Sequence, residues 1–379
     1  MFSTPDENGY HSISVNPSYI STWYNSFHHK RISSFNGLSS LDLLPGKNNS
    51  LQNLNNNKHD GHLSLMAVKK ISKALDYSIY LAKPPQSSKP LAGKHYQYCL
   101  NFITLTLSSK QVHSDLVIKK EIFQPFLDYC RKHYKIQNYL WVIEKQKNGN
   151  THFHIVSDKW IPHNELRNLW NKLQQNLGYV SRYAESQKRW FKNGFRLHEE
   201  LLTTWNYSHQ YNAWSAGLKS GWSNPNSTDV HSLRFINNVK KYMIKYMTKN
   251  YTKIESKLTF ELTTLENELL KENNYSKITG RIWGCSESLS CIKGARDDIY
   301  EETASELEKI KNDPSIHSVF DPYFSIHYVD INSLRLKGFA VIPRLFDDFC
   351  RIRFPAYSHI FDPQIAINER KLKQDQPKI

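Results

Sequence analysis

Four residues near the middle of the chain have the types and spacing of a reactive group. In the stretch VKKYMIKYMTKN, 239–250, Tyr242 and Tyr246 are four residues apart, and Lys245 and Lys249 each follow a tyrosine by three. On a helix the two phenols share one side, one turn apart, with an ammonium beside each. A free phenol loses its proton only near pH ~10, so a neighbouring cation is what makes it a usable nucleophile at neutral pH. The second group is THFHIV, 151–156. On a strand His152 and His154 face one way and Phe153 the other, which makes a two-histidine grip for a metal ion. A nucleophile on a basic helix and a metal on a sheet are the parts needed to break and rejoin a phosphodiester.

Whether a carboxylate joins the histidines depends on the register of one hairpin. Tyr139–Glu144 (YLWVIE) reads as a strand and Lys147–Gly149 as the turn into THFHIV. A two-residue Asn148-Gly149 loop points Glu144 away from the histidines. A three-residue loop with Gly149 left-handed sets Glu144 opposite His152 on the same face, and this is the register we adopt.

Around these residues the pattern predicts an α+β fold. Tyr96–Leu107 alternates as a first, central strand, 114–134 is helical but broken into two pieces by Pro125, and 162–176 is a helix stopped by Gly178. Strand, helix, strand, strand, helix predicts a central antiparallel sheet of split βαβ type, resembling ferredoxin and RRM domains, with helices on one face. The aromatic, basic stretch 179–222 reads as a helical insertion, followed by a short strand at 229–233 and the tyrosine helix. Residues 1–61, rich in Ser and Asn, read as a disordered or extended arm, and 62–94 as a helix and linker. The main domain then spans 95–304 and a C-terminal extension 305–379, with a charged helix, a strand around 324–331 and a helix near 343–353.

The formal charge of +15 and a pI near 9.3 predict a polyanionic partner, and 22 Tyr and 9 Trp supply surfaces for stacking unpaired bases. No apolar run is long enough to span a bilayer and the first ten residues do not read as an export signal, so the expectation is a cytosolic protein with no membrane partner. Five cysteines without CxxC spacing predict reduced thiols rather than disulfides or a zinc knot. His163 and His231 lie near the motifs without matching spacing and read as structural.

Taken in order, ITLTL at 103–107, HFH at 152–154 and YMIKYMTK at 242–249 resemble the three motifs of the HUH endonucleases. The resemblance is to the replication initiators of rolling-circle plasmids and single-stranded DNA phages, in the branch with a YxxKYxxK helix, and it covers about 96–289. The 179–222 insertion is longer than that core requires. The resemblance implies that His152, His154 and Glu144 hold Mg2+ or Mn2+, and that Tyr242 and Tyr246 attack with help from Lys245 and Lys249, Lys241 contacting DNA. It also implies that single-stranded or hairpin origin DNA is nicked through a 5′-phosphotyrosine, leaving a 3′-OH for a host DNA polymerase working with a host helicase. A transposase or relaxase is the nearest relative activity, but no GxxxxGK[ST] loop for a built-in ATPase occurs. The rivals from other classes are a non-catalytic single-strand binder and a metal-dependent phosphoesterase that needs no tyrosine.

Overall fold

The computed structural model describes residues 9–26, 63–82, 100–233, 241, 244 and 278–361. In chain order its strands are β1 Gly9–Val15, β2 Ile20–Ser26, β3 Asn101–Thr106, β4 Tyr139–Lys145, β5 Thr151–Ser157, β6 Thr228–Ser232, β7 Trp283–Cys285, β8 Ala295–Asp298, β9 His317–Phe320 and β10 Phe324–Tyr328. Its helices are α1 Leu65–Ala82, α2 Asp115–Ile118, α3 Gln124–His133, α4 His163–Gln175, α5 Tyr179–Trp190, α6 Tyr207–Ser220, α7 Glu301–Lys311, α8 Ile331–Leu336, α9 Val341–Arg353 and α10 Ser358–Phe361. The fold is α+β, and the chain divides into two compact units, each built on one five-stranded antiparallel sheet.

The unit comprising 57–71 and 99–286 carries the histidines. Its strand order is β6-β3-β5-β4-β7. Both β3 and β4 are antiparallel to β5, so they run the same way with β5 between them, which is the split βαβ arrangement expected from the sequence. The crossover from β3 to β4 is a single helical stretch. Ser114 caps α2, a π-turn spans Lys119–Phe123, and Pro125 falls in the first turn of α3. There its missing N–H costs nothing, which is why the predicted break is a change of hydrogen-bond pattern and not a gap.

The alternation of β5 sends Phe153 into the helical layer. Its ring stacks on Phe123 at 4.2 Å between centroids and meets Trp170 of α4 edge-on at 5.8 Å. Trp170 Nε1 donates to the Thr106 carbonyl at 2.7 Å, tying α4 to β3. The insertion is two helices, α5 and α6, and Gly178 (φ +75°) turns the chain between α4 and α5.

The other unit comprises 1–56, 72–98 and 287–379, with strand order β8-β1-β2-β10-β9. Residues 9–26 are therefore not a tail: β1 and β2 form a hairpin between β8 and β10 and bury Ile13, Val15 and Ile20. The predicted arm fails because half of the hairpin's pattern is Ser, Thr and Asn and the strands that cover it lie some 270 residues later in the chain. The unit also begins at 287 rather than near 304. Helices form where expected, at α1, α7 and α9. Tyr77 packs among Phe346, Phe349 and Phe354. The Glu306 carboxylate accepts from Ala340, Val341 and Ile342 N, at 2.7, 3.0 and 2.8 Å, and so caps α9, which has no side-chain cap of its own. Cys130, Cys285, Cys291 and Cys350 are free thiols. No described helix is long and apolar enough to cross a membrane.

Candidate metal centre

The hairpin register that decides the site is the three-residue one. Glu144 pairs with His152 and Lys145 with Thr151, and Gln146 N donates to Asn150 O at 2.9 Å, which leaves 147–149 as the loop. Gly149 closes it at φ +82°, its N–H donating to Gln146 O at 2.8 Å. A Cβ at Gly149 would meet nothing within 4 Å, so the demand for glycine is one of backbone conformation alone. Asn150 pins the loop from below, accepting from Gln111 N and donating to Ser109 O.

On the face opposite Phe153, Glu144, His152 and His154 bring one ligand atom each to within 4.8 Å of one another. Glu144 Oε1 lies 3.0 Å from His154 Nε2, and the two imidazole rings are 4.5 Å apart at 72°. Two imidazoles and a carboxylate in this proximity form a donor set that fits a divalent cation. The side chains around them were not singled out by the sequence. Phe102 lies flat against His154, 5.2 Å away at 10°. Thr104 and Thr106 of β3 pair with His154 and His152 and place their hydroxyls 3.4 and 3.1 Å from the Nδ1 atoms. The Gln146 amide is 3.0 Å from His152 Nδ1. The ITLTL alternation was the available signal for the threonines, but only the β3–β5 register says which histidine each one meets.

The underside of the hairpin is polar and buried. Lys145 Nζ lies 2.5 Å from Asp115 Oδ1 and 3.2 Å from Thr151 Oγ1, and Thr279 N donates to Asp115 Oδ2 at 3.1 Å. Burial alone would raise the Asp115 carboxyl; the hydrogen bonds from Lys145, Gln111 and Thr279 N outweigh it and hold the group below the usual carboxylate range. The carboxylate thereby joins α2, β4, β5 and the 279 segment beneath the metal face.

His231 pairs with Asp229 at 3.2 Å and meets Phe102 edge-on, and His163 opens α4; neither joins the cluster. Tyr242, Lys245, Tyr246 and Lys249 lie outside the described residues. Within that stretch Lys241 and Ile244 are described, and both are helical.

Residues 100–251 match the model of a replication-associated protein family, that of the ORF2 protein. The match starts one residue before β3 and takes in both histidines, Glu144 and the whole YxxKYxxK stretch. It covers under half of the chain and leaves out β1, β2 and β7–β10. No curated protein and no solved structure matches the chain. The family match supports a replication-associated protein of Rep type.

Proposed function

We propose that the chain is a rolling-circle replication initiator, a site-specific nickase and strand transferase acting on origin DNA. The observation that carries this reading is the Glu144, His152 and His154 cluster inside the span that matches a replication-associated family. Those three residues would hold Mg2+ or Mn2+. Such an ion, when bound, supplies positive charge that draws electron density from phosphorus and offsets charge growing on its non-bridging oxygens.

The tyrosine helix supplies the rest. Tyr242 or Tyr246 loses its phenolic proton with its lysine, Lys245 or Lys249, favouring the phenolate. The phenolate oxygen bonds to phosphorus, the bond to the 3′ oxygen breaks, and that oxygen takes up a proton to become a 3′-OH. The 5′-phosphotyrosine keeps the energy of the broken bond, so the second tyrosine can cut the regenerated origin and the displaced strand can close without ATP. The 3′-OH would prime a host polymerase working with a host helicase on single-stranded or hairpin origin DNA, and Lys241 would contact the phosphate backbone.

The test mixes the purified chain with a 5′-labelled or 3′-labelled single-stranded origin oligonucleotide and Mn2+. An SDS-stable adduct carrying the 3′ label, lost with EDTA and in the Tyr242→Phe/Tyr246→Phe double variant, is expected. Salt-sensitive binding without any adduct would leave a non-catalytic single-strand binder; cleavage that survives loss of both tyrosines would indicate hydrolysis.

A further inference from the structure

The threonines of β3 have no part in the chemistry above, yet both sit where they can control it. Thr104 and Thr106 stand directly across from His154 and His152, and each hydroxyl meets the Nδ1 atom of its partner. An imidazole that ligates an ion through one nitrogen must carry its proton on the other, and the group that receives that proton fixes the tautomer and aims the ring. Threonine on a strand has few χ1 choices, so its hydroxyl is a stiff anchor. Phe102 adds a flat wall against the His154 ring, and the Gln146 amide a second contact on His152 Nδ1.

A hydroxyl also has a property that a backbone carbonyl or a carboxylate lacks: it both donates and accepts. With the cluster as described, His154 Nε2 lies 3.0 Å from Glu144. A proton on Nε2 satisfies that contact, and Thr104 then donates to a bare Nδ1. With Nε2 committed to a cation, the proton moves to Nδ1 and the same hydroxyl accepts it. Valine has the shape of threonine but can do neither.

We propose that Thr104 and Thr106 are the positioning residues of the metal centre, holding Nδ1 of His154 and His152 so that the Nε2 atoms and Glu144 converge, and allowing the proton shift that loading requires. This rests on the reading of Glu144, His152 and His154 as a metal site.

The experiment uses the full chain with Mn2+ as the probe for affinity and Mg2+ as the diamagnetic probe for histidine 15N spectra. Thr104→Val and Thr106→Val are each expected to weaken Mn2+ binding by about tenfold to a hundredfold, and Thr→Ser at the same positions to restore it. In the Mg2+-loaded wild type, His152 and His154 should carry their protons on Nδ1. Valine variants that bind Mn2+ as tightly as wild type, or loaded histidines protonated on Nε2, overturn the proposal. Should a valine variant lose its spectral dispersion, the serine pair and the wild-type tautomers decide in its place. A wild type that binds no Mn2+, or binding unchanged by His152→Ala/His154→Ala, would fail the metal site itself and is read separately.

Discussion

Both sheets set histidines against hydroxyls on neighbouring strands, and they do so to opposite ends. In the sheet of β1, β2 and β8–β10, His327 is fully buried. Its Nδ1 lies 2.8 Å from Ser318 Oγ and its Nε2 3.0 Å from Ser325 Oγ, and Ser325 in turn lies 2.7 Å from Thr22 Oγ1. Each ring nitrogen has a hydroxyl of its own, so the imidazole is a neutral polar filler in a core. In the sheet of β3–β7, hydroxyls meet Nδ1 of His152 and His154, and Nε2 of His154 faces a carboxylate. What separates a structural histidine from a candidate ligand is the partner of its second nitrogen, and sequence spacing alone does not report that.

The comparison breaks first at activity. His152→Ala/His154→Ala should bring adduct formation on a labelled single-stranded origin to background, whereas His327→Gln should leave it near the wild-type level. Equal loss in both variants would mean that the two sheets are not doing different work. Next in size is the polar underside of the metal hairpin. Asp115→Ala strands Lys145, whose side chain is only 7% exposed, so a loss of about 3–5 kcal/mol is expected in urea unfolding followed by Trp fluorescence. Asp115→Ala/Lys145→Met should recover much of it, since the double change removes the uncompensated charge along with its partner.

The third expectation concerns pH. Burial, with the charge of Lys311 adding to it, lowers the pKa of His327 below the ordinary histidine value. At pH above the unfolded value of about 6.5 the group is neutral folded or unfolded, and its contribution is intact. As pH falls below that value the unfolded chain takes up the proton first, so stability is lost until the folded pKa is passed. Unfolding midpoints between pH 7.5 and 5 should therefore drop in the wild type and drop less in His327→Gln. A parallel fall in the two would remove His327 as the cause. The smallest effect belongs to Trp170→Phe, which keeps a ring in the core but deletes the donor to the Thr106 carbonyl. A cost of about 1 kcal/mol in the same denaturation assay is expected, and no change would show that the bond does not anchor β3.

What the sequence made legible was local. The Lys147–Gly149 turn, the alternation of YLWVIE and THFHIV and the amphipathic 162–176 stretch each carry their signal within a dozen residues, and together they yielded the split βαβ sheet and the side of it on which Glu144 falls. The other sheet is made of distant partners. β1 pairs with β8, which reads Ala-Arg-Asp-Asp and has no strand pattern of its own, and β2 pairs with β10 across some 300 residues. A Ser- and Asn-rich start with no visible partner resembles a tail. At the site the residue types of Glu144, His152 and His154 announced themselves, while Thr104, Thr106 and Gln146 are ordinary residues that matter only through which ring they touch.

The pairing of β1 and β2 with β8 and β10 also sets an order of events during synthesis. Two inner strands leave the ribosome first, and the strands that flank them are made last. At about 5–20 residues per second, the hairpin waits roughly a quarter of a minute to a minute with both hydrogen-bonding edges unsatisfied. Over that interval it is an open template for any other strand nearby, so a message cut short before β8 would yield a chain that is sticky as well as incomplete.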